Sequence, residues 1–456
     1  MHMKRIDFEN GTITGNILGA ALPMLVAQIL NLLYNIVDRI YIARIPEIGT
    51  AALGAVGLCF PIIVIITAFS NLFGTGGAPL FSIFRGKKDP DTARRIMNTS
   101  FTMLCVCAVI LMAVGFLFAR PILILFGASA EAIVYAYPYM MLYLIGTLPS
   151  MIAVGMNPFI NAQGYSSIGM LSVAIGAGTN LVLDPLFIFA LGLGVRGAAI
   201  ATVISQCLSA AFVLFFLTKK SELKLRFLHK NEIPECTGHA KNILSLGAAG
   251  FIMQLTNSLV TICCNNILSV TGGDIYISVM TIVSSVRQLV ETPIYAITEG
   301  TSPILSYNYG AKNRDRVKKA FRLLLTASLC YSTILWAFIM LFPQVFAEMF
   351  TSDSALLGFT KSALRIYCAC LLLFGIQIAC QMAFTSFGKA KASIAVAVTR
   401  KFILLLPLIY LLPHILTGNK TNAVYMAEPI ADFLAVSFTT VLFTFQFRKV
   451  LKELEG

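Results

Sequence analysis

The stretch APLFSIFRGKKDPDTARR, residues 78–95, returns 224 residues later as SPILSYNYGAKNRDRVKK, residues 302–319. Pro79 meets Pro303, Ser82 meets Ser306, Gly86 meets Gly310 and Lys88 meets Lys312. Asp91 meets Asp315, and Arg94 and Arg95 meet Lys318 and Lys319. The same offset pairs Gly164 with Gly388. Closer to the start of each half, NIL at 16–18 recurs at 242–244, Gln28 meets Gln254 and Asn31 meets Asn257, at an offset of 226. Several matches at nearly one offset mark a duplicated unit.

Each unit is made of membrane-crossing helices. Of 456 residues, 57% are hydrophobic and 12% charged, with a mean hydropathy of +0.82. A soluble domain carries about 25% charged residues. Apolar runs long enough to span a bilayer recur from end to end, and the alternating pattern of a membrane barrel is missing. The sequence therefore predicts an all-α polytopic membrane protein. Twelve spans are expected near 15–40, 50–80, 95–119, 131–155, 168–190, 197–217, 242–268, 276–305, 318–341, 357–383, 393–413 and 423–446. The longest polar connection, TKKSELKLRFLHKNEIPECTGHAK, falls between the sixth and seventh. The expected organisation is an N-terminal lobe at 1–218, a linker at 219–241 and a C-terminal lobe at 242–456. Six spans per lobe give both the same orientation, so the two lobes are pseudo-symmetric about an axis along the membrane normal. Secondary transporters are built this way, with substrate bound between the repeats.

The net charge of +13 follows the same frame. With the N-terminus inside, 26 of the 34 Lys and Arg fall on inside segments, among them Lys4, Arg5, Lys87, Lys230, Arg400, Lys401 and Lys449. Outside loops keep Arg44, Arg120, Arg196, Lys361 and Lys420, and Arg39, Arg287 and Arg365 lie in or beside spans. Basic residues collect in cytoplasmic loops, which puts both termini in the cytoplasm, the chain in the cytoplasmic (inner) membrane and no nucleic acid among its partners. The eleven cysteines form no CxxC, the four histidines are scattered, and neither a disulfide framework nor a structural metal site is expected. No HExxH or GxSxG occurs, so an intramembrane enzyme is not expected.

Polar residues inside the spans are the functional candidates, because an Asp at a helix centre costs at least about 2.5 kcal/mol. In the first span Gln28, Asn31, Asn35 and Asp38 are spaced three, four and three, which puts them on one helix face, expected to line the inside of the first lobe. In the fifth span, NLVLDP (180–185) sets Asn180 four residues before Asp184, with Pro185 next. Proline withdraws an amide and frees a carbonyl of the preceding turn for water or a cation. Asp38, Asn180 and Asp184 thus make a candidate Na⁺ or proton site: hard oxygens suit Na⁺ and crowded carboxylates suit protons. The local alternative is Asp38 at the interface, paired with Arg39 or water. In the second half Gln254 and Asn257 continue the stripe, but Cys264 matches Asp38, and Leu404 and Leu408 match Asn180 and Asp184. The coupling site is therefore expected in the first lobe alone. Arg287 and Glu291 of the eighth span form an i,i+4 pair, read either as an ion pair holding helices together or as a cavity-facing carboxylate.

LPMLVAQILNLLYNIVDRIYIARI, LGAVGLCFPI, NLVLDPLFIF with GVRGAAIATVISQ, and SPILSYNYGAKN resemble the multidrug and toxic compound extrusion (MATE) family, in its bacterial branch of MepA-type and DinF-type pumps. The resemblance covers nearly the whole chain. It implies two six-helix lobes around a central cavity and export of small cationic, amphipathic compounds in exchange for H⁺ or Na⁺, by alternating access and without a cofactor. It also implies a coupling role for Asp38, Asn180 and Asp184, with Thr202 adding a hydroxyl. Gln28, Asn31, Asn35, Gln254, Asn257, Arg287 and Glu291 are the substrate-cavity candidates. One group of the family keeps its acidic residues in the seventh and tenth spans, where this chain has Cys263, Cys264, Gln377 and Gln381. The competing reading is a flippase for lipid-linked precursors, which would need cationic side chains in its cavity. The expected partners are the substrate and the lipid bilayer, with the protein acting as a monomer.

Overall fold

The computed structural model describes residues 5–455, apart from 47, 127, 228–232, 352 and 417–418. Lys4 and Lys230, counted above among inside residues, and the middle of the expected linker lie outside the described residues. In chain order the helices are α1 (Ile13–Ala43), α2 (Gly49–Gly86), α3 (Pro90–Leu125), α4 (Ala130–Ile145), α5 (Thr147–Ala162), α6 (Ser166–Pro185), α7 (Gly194–Phe215) and α8 (Ile233–Thr271). They continue with α9 (Asp274–Gly310), α10 (Arg314–Leu341), the short α11 (Pro343–Glu348), α12 (Ser354–Tyr367), α13 (Phe374–Ser386), α14 (Ala390–Val398), α15 (Leu406–Ile415) and α16 (Lys420–Glu453). There is no strand among the described residues.

These helices make twelve spans. Among the described residues, nine continuous stretches are long and apolar enough to cross a bilayer. Two more spans are bent pairs, α4 with α5 at 55° and α12 with α13 at 47°. The twelfth is α9, 37 residues long, which carries Arg287, Glu291 and Glu299. Each bent pair is the fourth span of its half. Wide helical turns continue α6 (Leu186–Ala190, directly after Pro185) and α7 (Phe216–Lys220), and join α14 to α15 (Thr399–Leu405). Such π segments interrupt the regular hydrogen-bond ladder and are frequent at functional sites.

The sequence repeat is repeated in the backbone. Lys88 and Lys312 have φ of 59° and 56°, the only positive values on non-glycine residues among those described. Both turns end in an N-cap at the next residue. Asp89 accepts from the Thr92 N–H at 3.0 Å, and Asn313 accepts from the Arg316 N–H at 3.1 Å. Gly164 and Gly388, with φ of 90° and 70°, close the equivalent turn after the fourth span of each half.

The chain forms two compact units: residues 1–11 with 22–247, and residues 12–21 with 248–456. The first turns of α1 thus belong to the second unit, and the first turns of α8 to the first. In the first unit α8 crosses α2 so closely that a Cβ on Gly247 would lie 2.0 Å from the Leu72 carbonyl oxygen, and one on Gly76 2.2 Å from that of Ile243. Glycine is required there because backbones touch. In the second unit a Cβ on Gly300 of α9 would meet the Ala21 backbone at 2.8 Å.

Residues 221–227 run across the first unit as an extended strap. Gln163 exchanges two hydrogen bonds with the Leu223 backbone, at 3.0 and 3.2 Å, and the Arg226 N–H donates to Asn98 Oδ1 at 3.0 Å. Glu222 pairs with both Arg85 and Arg5 at 2.8 Å. The strap buries Leu223 and Leu225.

Candidate functional site

In the first unit, α6 and α7 bring three of the expected residues together. Asn180, Asp184 and Thr202 are 2%, 0% and 4% exposed. Asn180 and Asp184 sit one turn apart on α6, and the Asn180 Nδ2 donates to Asp184 Oδ1 at 3.2 Å and to Thr202 Oγ1 at 3.4 Å. The Thr202 hydroxyl in turn donates to the Ala198 carbonyl at 2.9 Å. Asp38 reaches this group from α1, its carboxyl within hydrogen-bonding reach of the Asp184 carboxyl.

The geometry poses a chemical problem. Asp38 Oδ1 and Asp184 Oδ2 are buried and receive no hydrogen bond among the described residues. Two ionised carboxylates hold only acceptors, so the approach of a half-buried Asp38 to a buried Asp184 calls for a shared proton or a bound cation between them. Arg39 does not supply the missing charge. It forms no ion pair with Asp38 among the described residues, and its guanidinium lies over the Phe60 ring at 5.2 Å. Of the local alternative for Asp38, the pairing with Arg39 is not formed among the described residues.

Tyrosines that sequence reasoning did not single out wall the site. Tyr34, Tyr139 and Tyr143 are close enough to Asp38 to feel its charge, and Tyr139 and Tyr143 stack at 6.2 Å. Tyr143 receives a hydrogen bond from Gln206 at 3.4 Å. Near this end of α1 lies an open cavity of about 640 Å³ lined by Ile45, Pro46, Tyr135, Pro138, Ile188 and Arg196, among others. Ile188 is one helical turn beyond Asp184.

The rest of the polar stripe does not follow Asp38 inward. Gln28 is half-buried, whereas Asn31 and Asn35 are exposed, and Asn35 donates back to the Asn31 carbonyl at 2.6 Å. The expectation that the whole stripe lines the interior of the first lobe fails at these two residues. Spacing fixes a helix face; it carries no information about how far along that face other helices provide cover. In the second unit Gln254 is half-buried and Asn257 exposed.

The second unit holds a charged cluster of its own. Arg287 donates from Nε to Glu291 Oε1 at 2.6 Å and from Nη2 to Asp432 Oδ2 at 2.8 Å. Arg400 grips the other Asp432 oxygen with Nε at 2.9 Å and Nη2 at 2.7 Å, and reaches Glu428 at 3.1 Å. Both guanidiniums lie over the Phe374 ring, at 5.5 and 5.6 Å, and Arg287 also over Tyr367. Arg287, Arg400, Lys401, Glu428 and Asp432 are all at most 5% exposed; Glu291 is half-buried. Of the two readings of Arg287 and Glu291, the ion pair is present, enlarged into a network. Arg400 and Lys401, counted with the inside residues although they fall within the eleventh expected span, are buried in the π segment between α14 and α15. Acidic residues are thus not confined to the first half. The signal that would have found them was legible: Glu428 and Asp432 are four apart in AEPIADFLAV, the same spacing that singled out Asn180 and Asp184.

Comparison with known proteins agrees with the repeat. The MatE family model matches residues 23–186 and again 249–411. The chain is 25% identical over 431 residues, 94% of each chain, to the multidrug export protein MepA of Staphylococcus haemolyticus (strain JCSC1435). It is 23% identical over 410 residues to that of Staphylococcus aureus (strain NCTC 8325 / PS 47), covering 89% of this chain and 88% of the relative. Among solved structures, the crystal structure of MATE in the bent conformation superposes with a TM-score of 0.90 at 24% identity, over 98% of both chains.

Proposed function

The chain belongs to the MatE family, and from that premise we propose that it is a proton-coupled exporter of cationic, amphipathic compounds, working by alternating access in the cytoplasmic membrane with both termini inside. The multidrug export named for its staphylococcal relatives supports the substrate class. The observation that carries the coupling is that the interacting carboxyl groups of Asp38 and Asp184 each keep a buried oxygen without a donor. A proton between them turns a repulsion into a hydrogen bond. Asn180 turns its amide nitrogen, a donor, toward both Asp184 and Thr202, and donors do not ligate Na⁺; this favours H⁺ over Na⁺. Loss of the proton separates α1 from α6, and gain draws them together. Such a ligand drives transport only through different affinity for the two states.

The substrate-facing candidates are Gln28, Asn31, Asn35, Gln254, Asn257 and Glu291, on lobes bounded at 1–218 and 242–456 and acting as a monomer. A flippase would need free intramembrane cations. Arg287 and Arg400 are engaged with carboxylates, which takes these two out of that role.

Efflux of ethidium from proteoliposomes under an imposed pH or Na⁺ gradient tests the proposal. The pH gradient is expected to drive efflux in the wild type, and Asp38→Asn and Asp184→Asn are each expected to lose that drive while still binding ethidium. Drive by Na⁺ alone would overturn the choice of ion. Full coupling in both variants would overturn the site.

A further inference from the structure

We propose that the second unit contains its own proton-exchange site, with the Lys401 amine as the exchanging group, separate from Asp38 and Asp184. The second unit gathers six charged side chains in one cluster. Arg287 and Glu291 come from α9, Arg400 and Lys401 from the π segment, and Glu428 and Asp432 from α16. Two guanidiniums face three carboxylates, so without Lys401 the cluster holds one surplus negative charge. With Lys401 protonated it is neutral. Buried net charge is costly in a low-dielectric interior, and this favours the ammonium.

Lys401 nevertheless has no bond to hold that ammonium in place. It is 4% exposed, yet among the described residues it makes no hydrogen bond and no ion pair. The guanidiniums take every charge-assisted contact: both oxygens of Asp432, one of Glu428 and one of Glu291. The charged and titratable groups around Lys401 are Arg400 beside it, Arg287 and Glu291 on α9, Glu428 and Asp432 on α16, and Cys264 on α8. An unbonded buried ammonium carries a desolvation cost of its own. Charge balance and desolvation therefore oppose one another at this one group. Guanidiniums do not deprotonate in proteins, so a proton leaving the cationic side of the cluster leaves from Lys401. Each exchange with bulk water changes the buried charge of the second unit by one, with no bond made or broken beyond N–H.

The protein carries its own reporter. Trp336 is the only tryptophan, and its Nε1 donates to the Ala369 carbonyl at 2.8 Å. Ala369 lies at the break between α12 and α13, between Tyr367 and Phe374, the rings that pack on the guanidiniums. The proposal needs no transport, so it stands or falls apart from the exporter reading. The experiment is a titration of Trp336 emission in the full-length protein in nanodiscs, from about pH 6 to 10, the range spanning His, Cys and Lys side chains.

A single reversible transition is expected in the wild type and, unchanged, in the Asp38→Asn/Asp184→Asn double variant. It is expected to vanish in Lys401→Arg, which keeps the charge but cannot release it, and in Lys401→Met, which serves if the arginine variant fails to fold. A flat wild-type profile, or the same transition in a folded Lys401 variant, overturns the proposal. A transition that follows chloride concentration at fixed pH also overturns it, because the unpaired Arg287 Nη1 and Lys401 would then hold an anion.

Discussion

The two units share one duplicated plan and treat buried carboxylates in opposite ways. In the first, Asp38 and Asp184 approach each other with no ion pair to either among the described residues and with amide and hydroxyl groups as neighbours. In the second, Glu291, Glu428 and Asp432 are held by Arg287 and Arg400. The first arrangement is left incomplete and the second is closed by its own arginines. The first arrangement suits carboxylates that themselves take up and release an ion; in the second the arginine-held carboxylates act as a strut between helices, and Lys401 is the one member of the cluster left to exchange a proton. The fold carries both because its helix positions are repeated while its side chains are not.

The sharpest way to break the comparison is to make one change, carboxylate to amide, in each unit. Asp432→Asn leaves two arginines short of a partner, and breaking a buried pair from one side costs about 3–5 kcal/mol. Thermal unfolding in detergent should show a correspondingly large fall in Tm. Replacing both partners, Arg400→Met with Asp432→Leu, keeps the remaining charges balanced. It should recover most of the loss, to within about 1–2 kcal/mol of the wild type, because an apolar pair of similar volume often substitutes for a buried ion pair.

In the first unit the sign reverses. Asp184→Asn gives the Asp38 carboxylate a donor and should raise stability by about 1 kcal/mol, even as it removes coupling. A fall in Tm with Asp184→Asn would show that the first site, too, is already satisfied.

The smallest effect concerns the repeated turn. Asp89 caps α3 and Asn313 caps α10 at the same repeat position. Hydrogen bonds from the Thr92 side chain and N–H hold the Asp89 carboxyl below its ordinary range. A depressed folded value means that stability is present above the unfolded value, near pH 3.9, and is lost as pH falls through the folded one. Hydrogen-exchange protection, taken relative to the intrinsic rate at each pH, should fall at the start of α3 below about pH 4, whereas at the start of α10, capped by an amide, it should hold. Asp89→Ala should cost about 1 kcal/mol at neutral pH and nothing extra in acid.

The spans were legible because each is a long apolar run, and the halves because turn residues such as Lys88 and Lys312 recur. Asn180 with Asp184 was legible from helical spacing. Three things were not. Arg400 and Lys401 count with the inside residues by charge although they fall within the eleventh span, and the π segment that buries them leaves no mark on composition. Tyr34, Tyr139 and Tyr143 are ordinary aromatic residues until tertiary packing sets them beside Asp38. Asn31 and Asn35 share their periodicity with Asp38 and differ from it only in cover.

The exchange of helix starts between the units has a consequence for how the protein is made. Ile13, Asn16, Ile17, Ala20 and Ala21 are buried, and all belong to the unit completed last. The span that carries them therefore waits, its first turns uncovered, until α9 and its neighbours have been synthesised and inserted. Two halves translated as separate polypeptides would each carry a segment that finds its place only on the other, so that neither could mature alone.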